Sequence, residues 1–352
     1  MALSKYEREQ LKKVNAHKER TLRPSRRLLP FSVSGMGSGL FDKLPKVPGL
    51  ASVKDPAEAA LGATAAGAGK LMARTGQLTT SHARVIGAYA RKGHSVVHLD
   101  DIRKLDLRTI DDVASFGLAR HAYSISAAVE GAAVGLAVSG GEAVATAGAA
   151  ATGGAAAAPG LATIATAMGV DTAALLTACS GVVAQDALYY GYDPRDPAEE
   201  IFMMQVIGLG LATTASAKAA AYQQLATLTE GLARNASWHE LDQQAFAKVA
   251  QEFAVKFSQK LTRKRLGQLV PVVGVGIGAA LNWKMVSEIA DAAYWAYRER
   301  FLYEKSGTVE PFVIDVDVTD DDGDVGDKAI DVIDILNSEG VHIDGVNTDE
   351  DE

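Results

Sequence analysis

One long apolar stretch limits what this chain can fold into more than any other feature. Residues 122–192 consist largely of Ala, Gly, Thr and Val, and only four of these 71 positions are charged: Glu130, Glu142, Asp171 and Asp186. A run this apolar has to be buried between packed helices or placed in lipid. Because alanine is the strongest helix former and proline breaks helices, Pro159-Gly160 divides the stretch into two predicted helices.

The same stretch is long enough to cross a membrane. Residues 143–170 are 28 positions without a charge, and about 20 apolar residues span a bilayer. However, Leu, Ile and Phe supply most of the insertion energy, and the stretch is poor in them and lacks flanking aromatic belts. Small residues recur at four-residue spacing, as in Gly131 with Gly135, which favours close helix packing. We expect a tight bundle; a hairpin over 122–190 that inserts into lipid on a trigger stays open as an alternative.

Helix signals continue on both sides of this stretch, and no alternating strand pattern precedes residue 309. Asp196 and Pro197 are typical of a helix start, and the pattern predicts a helix that runs from there to about Gln223. We therefore predict an all-α fold, a Gly/Ala-rich multi-helix bundle. The single cysteine, Cys179, cannot form an internal disulfide and is expected to be a small buried apolar residue.

The predicted bundle covers residues 55–305 and is flanked by two segments of different composition. Residues 1–54 form a basic arm and a Pro/Gly-rich linker, and residues 4–20 predict a short helix. The basic residues 1–30 could be a membrane-surface arm or a solvated leader, and we favour the leader. Residues 306–352 form an acidic tail. We expect both termini to be disordered or weakly structured. The charged first 30 residues lack the apolar core of a signal peptide, which favours a cytoplasmic location, with peripheral contact to the cytoplasmic membrane.

The net charge of −8 conceals a division between body and tail. Residues 309–352 carry 16 acidic side chains and one basic side chain, a net of −15, which leaves the preceding residues at +7. A basic body favours anionic partners such as lipid or nucleic acid. Nucleic acid fits less well, because no aromatic residues alternate with the basic ones and no reading motif is present. The tail could screen the body, bind a protein partner or only keep the chain soluble.

Two groups of side chains are candidate sites. A basic cluster precedes the apolar residues 269–281, where it could contact an anionic bilayer or complement a helix dipole: Lys260, Arg263, Lys264 and Arg265. The four acids of the apolar stretch could instead line a pocket of a soluble enzyme, since buried carboxylates often mark functional sites. Asp171 is the preferred member, and Glu130, Glu142 and Asp186 are the others; pairing with basic residues or exposure to solvent is the alternative for each.

Metal and cofactor signals are weak. His94 and His98 would lie one turn apart on a helix, a spacing that can hold zinc, but the glutamate of the zinc-protease motif and a third ligand are absent. Gly274 and Gly276 resemble part of a dinucleotide fingerprint, yet Pro271 interrupts the strand that such a site requires. We therefore predict neither a bound metal nor a cofactor.

Several motifs together resemble the EcsC family, over roughly residues 110–305. They are the Gly/Ala-rich helix, the Asp171 helix leading into Tyr190-Gly191-Tyr192-Asp193-Pro194, the basic turn from Arg263 to Gly267, Pro271-Val272-Val273-Gly274 with Gly278 and Asn282, and Ala296-Tyr297-Arg298-Glu299-Arg300-Phe301. The first 50 residues and the segment 309–352 lie outside this resemblance. The family commonly has Asp-Ile or Asp-Leu where this chain has Asp171-Thr172. The resemblance implies a bacterial helical protein with a role near membranes and no established activity.

Taken together, the residues and the resemblance predict a non-enzymatic protein that associates peripherally with anionic membrane or lipid. The basic cluster would make the contact, and the acidic tail would act as an electrostatic brake. The alternatives are an enzyme with a carboxylate-lined pocket and an effector or pore-forming protein whose hairpin inserts.

Overall fold

The computed structural model describes residues 2–23, 82–114, 158–233, 243–266, 274–307 and 328–339. Within these ranges every regular element is a helix, which confirms the all-α prediction. The helices are α1 (Lys5–Leu22), α2 (His82–Arg91), α3 (Leu99–Ile102), α4 (Leu107–Val113), α5 (Ala158–Tyr189), α6 (Pro197–Leu211), α7 (Ala215–Ala233), α8 (Gln243–Leu266), α9 (Gly274–Ser306) and α10 (Val332–Ser338). No helix in these ranges is both long enough and apolar enough to cross a membrane.

Among the described helices, α6 lies at the centre of the bundle, because its own residues are buried on every side. Of its 15 residues, 12 are buried, which is the pattern of a helix enclosed by others. It packs against α5, α7 and α9, and α9 also packs against α5. Gly210 lets α6 approach α9 closely, since a Cβ atom there would lie 2.6 Å from the Cα of Ile289.

Local signals in the sequence set the ends of α5 and α6. Gly191 follows α5 with a φ of +86°, a conformation that glycine adopts without strain, and it ends the helix as expected. The side chain of Asp196 accepts a hydrogen bond from the Ala198 backbone N–H at 3.0 Å, and Pro197 is the first residue of α6. The predicted continuation to Gln223 is wrong. Helix α6 ends at Leu211, and Thr214 starts α7 by accepting a hydrogen bond from the Ala217 N–H at 3.2 Å.

Helix α1 confirms the predicted N-terminal helix, but not its predicted exposure. It packs against α7, α9 and α4. Val14 and Leu22 are buried, and so are the charged Glu7 and Lys18. Lys18 pairs with Glu299 of α9, and Lys305 donates to Glu7 at 2.5 Å. The prediction of a solvated leader is therefore wrong, because the charged side chains of Glu7 and Lys18 form ion pairs with α9 of the bundle.

Part of the acidic tail is a folded element. Residues 328–339 contain α10, which packs against α8 and α6. Its apolar side chains lie in the core, with Val332, Ile335 and Leu336 fully buried. The expectation of weak structure is therefore wrong for these residues, since an apolar stripe within the acidic composition anchors them. The predicted division near residue 54 lies outside the described residues.

Candidate functional site

The tail helix α10 lies along a row of lysines on α8. We call Lys248, Lys256 and Lys260 the α8 lysine row, because their spacing of eight and four residues places them along one side of a helix. Glu339 lies 3.4 Å from Lys248, and Asp334 lies 3.5 Å from Lys256. The Nζ of Lys260 donates a hydrogen bond to the Lys328 carbonyl at 2.8 Å. Two of these lysines thus face acidic side chains of the tail, and the third binds the backbone of the tail.

Apolar contacts, and not these ion pairs, supply most of the attachment of α10. Four of the pairing side chains are between 28% and 70% exposed, and exposed pairs contribute about 0–1 kcal/mol each. By contrast, burying one isoleucine or leucine contributes about 1.5–3 kcal/mol. Gln205 of α6 fixes the register, since its side-chain oxygen accepts a hydrogen bond from the Val332 N–H at 3.2 Å. A seven-residue helix is unstable alone, so α10 depends on this contact.

The structure describes one of the four side chains of the predicted basic cluster. Lys260 is half-buried and bonded to the tail. Arg263, Lys264 and Arg265 lie in the last turn of α8, and their side chains are outside the described part of the structure. Lys264 continues the four-residue spacing of the α8 lysine row.

The predicted pocket acids are not brought together within the described residues. Asp186 lies in α5 with 4% of its surface exposed, and it has an interaction partner. Asp171 lies in the same helix, but its side chain is not described. Glu130 and Glu142 lie outside the described residues. The carboxylate pocket therefore stays a prediction.

The structure instead shows a buried acid that the sequence analysis did not select. Glu199, in the first turn of α6, accepts hydrogen bonds from the Arg300 guanidinium at 2.7 Å and from the Tyr297 hydroxyl at 2.5 Å. All three side chains are at most 5% exposed. Burial raises the pKa of Glu199, while the Arg300 charge and the two hydrogen bonds act in the opposite direction. Burial alone would lower the pKa of Arg300, but neighbouring Glu199 and Tyr192 raise it.

A second buried arginine extends this network toward α1 and α4. Arg298 of α9 binds both carboxylate oxygens of Asp111, at 2.7 and 2.6 Å, and donates to the Tyr190 hydroxyl at 3.2 Å. Tyr6 of α1 donates to the same carboxylate at 2.6 Å. Burial, followed by the Asp111 hydrogen bond, raises the pKa of Tyr6 to about 12. Four helices and the residue after α5 therefore meet at two arginines that are two positions apart.

A cleft of about 480 Å³ opens beside the network, but its charges are already matched. Its lining residues are Asp100, Arg103, Lys104, Tyr192, Phe301, Glu304 and Lys305. Arg103 lies 2.5 Å from Asp100 and 3.7 Å from Glu304, and Glu304 also accepts from the Tyr192 hydroxyl at 3.0 Å. Glu199 is not among the lining residues. The cleft is thus a mixed-charge surface and not a site for a single anion.

Glu200, next to Glu199, has a different environment. Its carboxyl group is half-buried, and among the described residues it has no hydrogen-bond partner. Burial, with a smaller effect from Asp196, raises its pKa to about 8. Both glutamates lie in the first turn of α6, where the helix dipole favours negative charge.

The histidine and glycine motifs do not have the geometry that their predicted roles require. His94 follows α2 outside any helix and His98 is the residue before α3, so the helical zinc spacing does not occur. Within the described ranges, no group of three or more His, Cys, Asp or Glu side chains could hold a metal ion. Gly274 and Gly276 are helical residues of the first turn of α9.

One signal in the sequence pointed to the missed network. Arg298 and Arg300 lie within the Ala296-to-Phe301 motif that carries the family resemblance. Their partners, Asp111 and Glu199, are distant along the chain, and no spacing rule connects them.

Comparison with known proteins supports the family resemblance that this motif carries. The chain matches the sequence model of the EcsC protein family over residues 8–302. It is similar to the uncharacterized protein YdbA of Bacillus subtilis (strain 168), with 23% identity over 244 residues, which is 67% of this chain and 75% of the relative. No solved structure matches it. The match starts at residue 8 and not near residue 110, so leaving the first 50 residues outside the resemblance was wrong. Since the match covers most of the sequence, this chain belongs to the EcsC protein family.

Proposed function

We propose that this protein associates peripherally with anionic membrane or lipid, with its acidic tail as an electrostatic brake. One observation carries the proposal: the acidic groups Asp334 and Glu339 lie opposite Lys256 and Lys248 of the α8 lysine row. A surface that attracts the chain's own anionic segment can attract an anionic bilayer when that segment moves away. Each lysine near such a bilayer contributes about 1 kcal/mol of binding free energy.

The charge distribution supports the same proposal. Residues 309–352 carry −15 and the rest of the chain carries +7, so the tail lowers the attraction of the whole protein to anionic lipid. Both effects are electrostatic and act between partly exposed groups, so they weaken as salt screens them. The proposal therefore requires salt-sensitive binding.

The test is flotation with vesicles that contain phosphatidylserine, at low and at physiological salt. Truncating the tail is unsuitable, because it would uncover the apolar groove that α10 fills. The double variant Asp334→Asn/Glu339→Gln keeps the apolar anchor and removes the two facing charges. The control, Asp344→Asn/Asp349→Asn, removes two charges from the same tail at positions beyond α10.

We expect the variant at 334 and 339 to bind anionic vesicles about threefold to tenfold more tightly than the wild type, and clearly more tightly than the control. Adding Lys248→Gln and Lys256→Gln, which removes the two lysines that face these acids, should cancel the gain. If neither the wild type nor this variant floats with anionic vesicles at low salt, membrane association is rejected. Equal gains in the variant and its control would reject the specific contact as the brake.

A further inference from the structure

A second basic surface lies on α2 and the turn that follows it. Residues 82–99 contain three basic side chains and three of the chain's seven histidines, and no acidic residue. The next acids, Asp100 and Asp101, already pair with Arg103 and Lys104.

The cations of this surface are exposed and available. Arg84 and Arg91 are exposed and seven residues apart, so they lie on the same side of α2. Within the described ranges, neither arginine has an ion-pair or hydrogen-bond partner. Lys92 follows directly, and its ion-pair partner among the described residues is Asp112, at 3.2 Å and with both side chains at least half exposed. A pair this exposed is weak and is replaced at little cost.

An apolar side chain is exposed in the segment that follows α2. Val97 is 70% exposed, the highest value of any large hydrophobic side chain in the described residues, while its neighbour Val96 is only 6% exposed. Single exposed apolar residues are common in soluble proteins. This one follows the cations Arg91 and Lys92 in the chain, and the acid that contacts its backbone, Asp101, is itself paired with Lys104 at 2.8 Å.

The backbone that presents Val97 is fixed by hydrogen bonds. Asp101 accepts from the N–H groups of Val97 and His98, at 3.2 and 3.0 Å. At the base of the turn, the His94 N–H donates to the Tyr89 carbonyl at 3.1 Å. The Tyr89 hydroxyl in turn donates to the Tyr189 carbonyl of α5 at 2.7 Å. The exposed valine is therefore held outward by a structure attached to the core.

We infer that this surface, defined by Arg84, Arg91, Lys92 and Val97, is the constitutive contact of the protein with an anionic bilayer. Cations beside a projecting apolar side chain fit the interface between lipid headgroups and acyl chains. A soluble polyanion such as nucleic acid would use the cations but would gain nothing from Val97. The inference rests on the proposed function and goes beyond it, because it locates a contact that the tail does not cover in the described structure.

The first test uses vesicle flotation with two charge-matched variants. Arg84→Gln/Arg91→Gln removes two cations from this surface. Lys12→Gln/Lys13→Gln removes two exposed cations from α1. We expect the first variant to bind phosphatidylserine vesicles about thirtyfold more weakly than the wild type, and the second to bind much as the wild type does. Val97→Ser should weaken binding about fivefold.

The second test reports the position of residue 97 directly. Cys179, the single native cysteine, is fully buried, so Val97→Cys can be labelled selectively with a fluorophore that responds to polarity. Adding phosphatidylserine vesicles should shift its emission to the blue. The same fluorophore on Lys12→Cys should not respond.

The outcomes separate the inference from the proposed function. If the wild type floats but Arg84→Gln/Arg91→Gln floats equally well, the inference is wrong and membrane association stands. Loss of binding in the arginine variant, with no effect of Val97→Ser and no blue shift, would also overturn it in favour of a general polyanion site. Absence of any vesicle binding, including by the Asp334→Asn/Glu339→Gln variant, would reject both.

Discussion

Replacing Arg300 by methionine tests whether the buried network stabilises the bundle. Arg300 is 5% exposed, and its guanidinium contacts Glu199 at 2.7 Å and Glu304 at 2.8 Å. It also lies 4.0 Å from the centre of the Tyr192 ring. Methionine fills much of the volume but leaves Glu199 buried beside the Tyr297 hydroxyl alone. Breaking one side of a buried pair costs about 3–5 kcal/mol, so we expect a loss near 4 kcal/mol in the free energy of unfolding.

The loss should depend on pH, with a sign that follows from the acid left behind. Without the guanidinium, burial keeps the pKa of Glu199 above its unfolded value. The folded state then holds a proton that the unfolded state has released, so stability falls as pH rises above the unfolded pKa. We expect a smaller deficit at pH 5 than at pH 8. Adding Glu199→Gln should recover about half of the loss, because a neutral amide can still accept from Tyr297.

The assay is urea unfolding followed by far-ultraviolet circular dichroism, at both pH values. The matched control is Lys284→Met, which breaks an exposed pair within α9 with an N–O distance of 3.6 Å. Exposed pairs of this kind contribute about 0.3–0.5 kcal/mol. If Arg300→Met is no more destabilising than Lys284→Met, the network does not stabilise the fold and the reasoning fails.

Four further predictions concern single positions. Burial raises the pKa of Glu200 from 4.5 to about 8, so the protein should become less stable as the pH rises through that interval. In urea unfolding, Glu200→Gln should remove this trend and add about 2 kcal/mol of stability at pH 8. Gly210→Ala should destabilise by about 1–3 kcal/mol, since its Cβ would lie 2.6 Å from Ile289. Gly87→Ala, with no atom within 4 Å of the added Cβ, should instead stabilise by about 0.5 kcal/mol in the same assay. Leu336→Ala should cost about 3 kcal/mol and speed hydrogen exchange in residues 328–339, detected by mass spectrometry; unchanged exchange there would contradict the anchoring of α10.

Features coded by near neighbours could be predicted from the sequence. The start of α6 needs only Asp196 and Pro197, and the end of α5 needs only a glycine that adopts positive φ. The break after Leu211 was missed although it is also local. Alanine-rich sequence continues across the break. Because alanine has the highest helix propensity, one threonine cap within such a sequence is a weak signal for the end of a helix.

The buried network could not be predicted in the same way. Asp111 and Arg298 are 187 positions apart, and no periodicity relates them. Their charges suggested solvent exposure, since lone arginines and acids are rarely buried. Only the folded arrangement, in which α4 packs against α1 and Asp111 meets Arg298 of α9, supplies the carboxylate that permits burial of this arginine.

In the tail, an acidic composition conceals a short helix with an apolar side. Sixteen acids in residues 309–352 favoured a solvated segment, yet Val332, Ile333, Ile335 and Leu336 form a compact apolar stripe at helical spacing. The apolar stripe holds α10 on the body, and the acidic side chains on the other side of α10 lie next to Lys248 and Lys256 of the α8 lysine row. Attachment and screening therefore depend on different side chains of the same helix. For this reason a charge variant and an apolar variant of α10 should differ: the first should change salt-sensitive lipid binding with little loss of stability, and the second should lower stability and release the lysines together.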